Sequence, residues 1–355
     1  MNNSVPDNST NTLLAACWER AVVGLRSATV KVRETCGERF LATRMDSLVG
    51  ELESVFDKVQ GVSQSRSGDE LAQTSTTTGP ATIHSAVSDA RQALRTLGDV
   101  CKKSMPDAPS EIERVEIEFD ILERAILITD FSCKSLNGSG VCVLTSGTPR
   151  TNHQSEVVDH VHSLDASAFV PHVQLLIEGG AEFIQLRDKR LTDRELIKAG
   201  RILTEQTRNT KTRWIMNDRA DLALVTGADG VHLGQDDIPV SSARQILGAT
   251  GLIGVSTHNV EQANQAVLDG ANYIGVGPVF PSETKSFESF PGLQLVEQVA
   301  SAITLPAFAI GGISLQNISQ VVEAGMHRVA VSSAVCSSND LSAATQAIAR
   351  ALKNR

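Results

Sequence analysis

From Val141 onward, short apolar runs alternate with helix-length segments, and the runs are solidly apolar rather than alternating with polar residues. Val141–Leu144, Phe183–Arg187, Trp214–Met216, Gly230–Leu233, Leu252–Val255, Tyr273–Val276, Ala307–Ile310 and Val329–Val331 read as strands covered on both faces, as parallel strands are. Eight strand–helix units in this length predict a small (β/α)8 barrel; a doubly wound sheet could use many such units but needs no eighth. Arg150–Ser167, with His153, His160 and His162, falls between the first strand and its helix and reads as an insertion with exposed histidines.

Ahead of the barrel the period changes. Leu13, Leu14, Cys17, Ala21, Leu25, Val30 and Val32 recur every three or four positions, so 11–60 and 83–130 are predicted helical. Gly61–Thr82 is rich in Ser, Thr, Gln and Gly, has little apolar surface to bury, and reads as a flexible loop. Arg20–Arg26 and Asp89–Arg95 echo one another as small-x-x-small-Leu-Arg segments, which suggests two amphipathic helices packing through small residues. The predicted fold class is α/β: a TIM barrel at 136–355 preceded by an all-α domain at 1–135, with a flexible loop near 61–82.

Composition narrows the partners. With 41% hydrophobic and 21% charged residues among 355, the chain has the balance of a soluble two-domain protein. A net charge of -9 argues against nucleic acid as the main partner, though not against a local basic pocket for a small anion. Six widely spread cysteines without CxxC spacing point to free thiols in a reducing compartment. The polar start lacks a signal-peptide pattern, and no apolar run reaches the ~18 residues of a membrane span, so a cytoplasmic location without membrane contact is expected.

In a barrel, chemistry collects where strands end. The second strand is followed by Gln185-Leu186-Arg187-Asp188-Lys189, the third by Asn217-Asp218-Arg219, and the fourth runs to Asp237. Ser256 ends the fifth, Ser282-Glu283-Thr284-Lys285 follows the sixth, Gly311-Gly312 the seventh, and Ser332-Ser333 the eighth. Singly, each has a plain reading as turn, cap or solvated side chain. Their convergence on one rim, above apolar strand bodies, points to a site. Asp218 and Asp237 reach in from neighbouring strands as Mg2+ ligands; that ion needs only one or two carboxylates besides substrate phosphates. Arg187, Lys189 and Lys285, with the hydroxyls of Ser256 and Thr284, form an anion clamp suited to a diphosphate leaving group. Gly311-Gly312 and the helix start after the last strand suggest a separate monophosphate site.

These stretches, together with Gly254–His258 and Ala309–Ile313, resemble the thiamine phosphate synthase family over roughly 141–355. The resemblance implies condensation of 4-amino-2-methyl-5-(diphosphooxymethyl)pyrimidine with 4-methyl-5-(2-phosphooxyethyl)thiazole, giving thiamine phosphate and diphosphate with Mg2+. It implies catalytic roles for Arg187, Lys189, Ser256 and Lys285. Gln185, Leu186, Arg187, Asp188, Lys189 and Asn217 would hold the pyrimidine diphosphate, joined by Ser256 and Lys285. Ser282, Glu283, Thr284, Gly312, Ser332 and Ser333 would hold the thiazole phosphate, and Asp218 and Asp237 the metal. The partners implied are these small molecules, with a homo-oligomer compatible. Ser282 stands where the family usually has threonine, Thr145-Ser146 where an Asp is common, and Met326–Arg328 where Ala-Asp-Gly is usual. The helical half, at Arg20–Arg26 and Ala90–Ile126, resembles a domain fused ahead of some such synthases; with no Gly-rich phosphate loop it is assigned no activity. Two other readings stay open: a non-synthase relative such as a regulator or thiazole-phosphate isomerase, and a docking role for the helical half.

Overall fold

The computed structural model describes residues 8–60, 82–104, 109–138, 140–147, 164–281 and 291–353. The chain divides into two compact units, Met1–Asp130 and Phe131–Arg355. Nearly all of the expected loop at 61–82, the three histidines of the expected insertion, and Ser282, Glu283, Thr284 and Lys285 lie outside the described residues.

The first unit is helical: α1 (Asn8–Cys36), α2 (Arg39–Gln60), α3 (Ile83–Ser104) and α4 (Pro109–Ser135), whose last turn belongs to the second unit. Buried positions in α3 fall at Ile83, Val87, Ala90, Leu94, Leu97 and Cys101, a single stripe at helical spacing. The small residues of the sequence echo do meet: a Cβ added at Gly24 would stand 3.2 Å from Cα of Ala90. Trp18 is buried against α2, its indole N–H donating to the carbonyl of Leu52 at 3.2 Å.

The second unit is the expected barrel. Its strands are β1 (Gly140–Thr145), β2 (Phe183–Leu186), β3 (Arg213–Asn217), β4 (Gly230–Leu233), β5 (Leu252–Thr257), β6 (Tyr273–Val276), β7 (Ala307–Ile310) and β8 (Arg328–Val331). All pair in parallel, and β8 closes on β1. Around them run α5 (Ala166–Glu178), α6 (Asp193–Thr207), α7 (Ala220–Thr226), α8 (Val240–Leu247), α9 (Val260–Asp269), α10 (Gly292–Ala302), α11 (Ile318–Glu323), α12 (Ser333–Cys336) and α13 (Leu341–Ala351). Two of the helix starts nearest the rim carry side-chain caps: Asp165 accepts from Ser167 N and Ala168 N, and Thr192 with Glu195 forms a reciprocal pair. The α5 start at Ala166 lies inside the stretch expected to be insertion.

Strand alternation sorts side chains into two populations. Cys142, Phe183, Ile215, Leu252, Tyr273, Phe308 and Ala330 fill the barrel interior. The rings of Phe183, Tyr273 and Phe308 pack 5.4–5.6 Å apart, each pair adding about 0.5–1.5 kcal/mol beyond area burial. The opposite face meets the helices: Trp214 is 1% exposed and donates to Thr204 Oγ1 on α6 at 2.9 Å. At the N-terminal mouth Leu136, from the end of α4, joins the interior cluster. Arg213 and Arg328 donate to the carbonyls of Ser135 and Leu136, receiving the helix C-terminus, where cations are favoured. Cys17, Cys101, Cys133, Cys142 and Cys336 form no disulfide. Among the described residues no helix is long and apolar enough to cross a membrane.

Candidate active site

The described members of the expected site stand on one rim, at the C-terminal ends of the strands. Gln185 points inward at the end of β2, in register with Leu144 and Ile215, and is 4% exposed. Arg187 and Lys189 follow it, both exposed, with the Arg187 N–H donating to the Thr145 carbonyl at 2.9 Å. The β2–α6 loop between them is fastened by Asp188, whose carboxylate accepts from Arg190 N, Nε and Nη2 at 3.1, 3.0 and 2.9 Å. Leu186 departs from expectation. It pairs with Met216 on the face that carries Ile184 and Trp214, so its side chain meets the helical layer and only its backbone borders the rim.

Asn217 ends β3 opposite His232. Next to it Asp218 sits at φ +63, the left-handed region, which costs a non-glycine residue about 1 kcal/mol. The surroundings hold it there. Its N–H donates to the His232 carbonyl at 2.8 Å, and the following Arg219 forks onto Asp193 (2.7 and 3.0 Å) and Asp221 (2.9 and 2.7 Å). Asp237 closes a tight turn, its Oδ2 accepting from the Gly234 N–H at 2.6 Å.

The two carboxyls meet. Burial raises the Asp218 pKa first, then the charge of Asp237 and a hydrogen bond shared with it; Lys189 and Arg187 pull the other way. One side chain thus senses the second acid and both cations, which places all four in a single electrostatic neighbourhood. Among the described residues no cluster of three or more His, Cys, Asp and Glu side chains forms a larger metal site. A pair of facing carboxylates suits a hard cation that completes its shell with water and phosphate oxygens.

Ser256 ends β5 with its Oγ 2.9 Å from His232 Nε2, and its carbonyl accepts from Gln235 Nε2 at 2.6 Å. His232 is 9% exposed and inside the barrel, and burial holds its pKa down at about 4, outweighing the nearby Asp237. Its Nδ1 lies 3.3 Å from the Tyr273 hydroxyl. Sequence reasoning gave no role to His232, Gln235 or Tyr273. The signal was inward parity: His232 and Ser256 share a face with Gly230, Gly254 and Gly275.

Past β6, the segment to Pro281 runs beside the end of β7, with Val279 N bonded to the Ile310 carbonyl (2.9 Å) and Phe280 N to that of Gly311 (3.0 Å). Here two glycines are required. Gly311 and Gly312 have φ +104 and +62, and a Cβ on either would come within 2.8 Å of Pro278 or of the Phe280 carbonyl. Their first task is therefore this backbone crossing. Ser332 donates to the Leu144 carbonyl at 3.0 Å, and Ser333 is exposed beside it. His258 donates from Nδ1 to the Gly277 carbonyl at 2.6 Å. A cavity of about 570 Å3 lies elsewhere, at the opposite mouth among Cys133, His327, Arg328 and Lys353.

Comparison of the sequence with known proteins shows the family. The model of the thiamine monophosphate synthase family matches residues 157–335. A thiamine-phosphate synthase of Synechococcus sp. (strain CC9311) is 36% identical over 287 residues, covering 79% of this chain and 77% of that protein. That share exceeds what residues 131–355 supply, so the likeness reaches into the helical unit. A second, from Halalkalibacterium halodurans, is 42% identical over 182 residues, 50% of this chain and 85% of its own. Among solved structures, a thiamine phosphate pyrophosphorylase from Pyrococcus furiosus matches with TM-score 0.50 and 30% identity, covering 60% of this chain and 95% of that one.

Proposed function

The chain belongs to the thiamine monophosphate synthase family, and from that premise we propose how its rim condenses the pyrimidine diphosphate with the thiazole phosphate. Gln185 and Asn217, inward-facing near the ends of the neighbouring strands β2 and β3, orient the pyrimidine. Arg187 and Lys189, with the Ser256 hydroxyl and Lys285, bind its diphosphate. Asp188 shapes the loop that presents the two cations, through its Arg190 fork. As the carbon–oxygen bond breaks, negative charge grows on the departing diphosphate, and these cations stabilise it more than they stabilise the bound substrate. The electron-rich pyrimidine bears the positive charge left on its methylene carbon. The thiazole nitrogen then donates its lone pair to that carbon, so the step needs no general base and depends on placement. Gly312, Ser332 and Ser333, with Ser282, Glu283 and Thr284, hold the thiazole phosphate so that the nitrogen faces the methylene.

Asp218 and Asp237 fit Mg2+: two hard oxygen donors, held face to face with nearby cations opposing their mutual repulsion. When bound, the ion supplies further positive charge to the diphosphate oxygens. That pairing of acids beside Arg187 and Lys189 is the observation that carries the reading.

We assign catalysis to the barrel at 136–355, leave 1–135 as an accessory domain, and place the enzyme in the cytoplasm with its phosphorylated, membrane-impermeant substrates. The test is to incubate purified full-length protein with both substrates, with and without Mg2+, and to measure thiamine phosphate and diphosphate. Equimolar appearance of both products, lost with a chelator and restored by Mg2+, is expected. Full turnover in the presence of the chelator would overturn the metal assignment, and no product under any condition would overturn the reaction.

A further inference from the structure

Beneath the rim lies a line of buried polar groups that the reaction does not account for. Tyr273, the only tyrosine in the chain, is 3% exposed inside the barrel. Phe183 stacks on its ring at 5.4 Å and 18°, and Phe308 meets it edge-on at 5.6 Å and 75°. Gly254 makes room for it, since a Cβ there would stand 2.5 Å from the Tyr273 hydroxyl; a Cβ on Gly275 would stand 3.4 Å from the His232 ring, in ordinary contact. The hydroxyl reaches His232 Nδ1, and His232 Nε2 reaches Ser256 Oγ. The line therefore runs from the aromatic core to the rim.

A neutral imidazole has one N–H and one lone pair, and which nitrogen carries the hydrogen decides the polarity of the line. Both ring nitrogens of His232 face hydroxyl oxygens, Nδ1 the Tyr273 phenol at 3.3 Å and Nε2 the Ser256 Oγ at 2.9 Å. Suppose the hydrogen sat on Nδ1. It would then donate to the tyrosine oxygen, and the phenol O–H would point at Phe183 and Phe308 with no acceptor, an expensive orphan in an apolar core. Ser256 would have to donate to Nε2 and could offer an anion nothing. With the hydrogen on Nε2, every group in the line is satisfied and the serine proton is free.

We propose that Tyr273 is a positioning residue: its hydroxyl donates to His232 Nδ1, which fixes the imidazole hydrogen on Nε2, which donates to Ser256 Oγ and leaves the serine proton to meet an anionic oxygen of the diphosphate. This rests on the reading of Ser256 as a diphosphate ligand. Gln235, bonded to the Ser256 carbonyl, holds the same residue by its backbone.

The experiment uses full-length protein labelled with 15N-histidine, with the His232 resonances identified by their loss in His232→Gln. Long-range 1H–15N spectra report the tautomer directly. The Nε2–H form is expected in the wild type, both free and with inorganic diphosphate and Mg2+. Tyr273→Phe loses that preference and raises KM for the pyrimidine diphosphate about tenfold, the scale of one hydrogen bond to a charged group, while KM for the thiazole phosphate stays put. An Nδ1–H tautomer in the wild type overturns the proposal, and that spectrum decides even if Tyr273→Phe does not fold. Ser256→Ala separates the two readings. Impaired Ser256→Ala beside unimpaired Tyr273→Phe means the relay is wrong and the site stands; unimpaired Ser256→Ala means the serine holds no diphosphate, and the relay falls with it.

Discussion

Two histidines in the barrel are buried uncharged, and this predicts an acid sensitivity with a definite sign. His172 on α5 bonds through Nε2 to Thr145 Oγ1 at 2.7 Å; its pKa is lowered from 6.5 to about 4 by burial. Burial also lowers His232 to about 4. Between those values the unfolded chain binds protons that the folded barrel refuses, so each contributes stability that is whole above pH 6.5 and lost as pH falls toward 4. One proton bound by the unfolded chain alone costs about 1.4 kcal/mol for each pH step, so the loss is about 2 kcal/mol apiece at pH 5 and about 3 kcal/mol at pH 4. The buried carboxyls Glu182, Asp218 and Asp229 are held above their ordinary range and titrate with the opposite sign. The histidine share must therefore be read as a difference. His172→Gln can keep the Thr145 bond without titrating, and urea unfolding of this variant and of wild type at pH 7 and pH 5 isolates one histidine. Trp18 and Trp214 are the only tryptophans and lie one in each unit, so Trp18→Phe leaves Trp214 fluorescence as a barrel signal. The variant is expected to lose about 2 kcal/mol less than wild type over that interval. Equal losses in the two proteins would refute the claim that His172 is buried neutral.

Asp218→Asn removes one acid of the facing pair and should lower turnover by at least about a hundredfold while leaving metal-free stability equal or higher; titrating turnover and urea midpoint against Mg2+ checks both. Gly312→Ala forces a Cβ to within 2.8 Å of the Phe280 carbonyl at φ +62, and should cost about 1–3 kcal/mol in thermal or urea unfolding. A chain starting at residue 131 should retain measurable condensation, whereas one starting at 139 loses Leu136 from the barrel floor and should be less stable by about 2–5 kcal/mol by unfolding.

The strands were legible because a parallel strand buried on both faces must be apolar, and an apolar run between helix-length segments has few other readings. Their ends were less so. Gly140, Arg213, Asn217 and Arg328 extend strands beyond the apolar runs, because ladder bonding is a backbone property that a polar side chain at a barrel mouth does not oppose. Arg187, expected within the second strand, lies just past its end. The rim residues could be found because each sits immediately after an apolar run, where a barrel keeps its chemistry. His232 and Tyr273 could not, since they sit in the strand bodies, and only inward parity with glycines on neighbouring strands marks them as a polar line inside the barrel. Likewise, nothing in the apolar character of Leu136 distinguishes a helix-end residue that floors a barrel from one that packs within a bundle.

Asp218 concentrates costs that a fold selected for stability alone would avoid. Its backbone is left-handed, its carboxyl is desolvated, and it faces a second acid. The neighbouring structure over-determines each of these: the His232 carbonyl takes its N–H, Arg219 is clamped by Asp193 and Asp221, and the Gly234 turn holds Asp237 opposite. Strain that is held from several sides marks residues kept for what they do. The same holds beneath the rim, where a phenol and an imidazole occupy volume that leucines could fill. In the proposed reading both departures from an ordinary barrel interior serve the bound diphosphate, one by supplying carboxylates for a cation and the other by leaving the Ser256 hydroxyl its proton to donate.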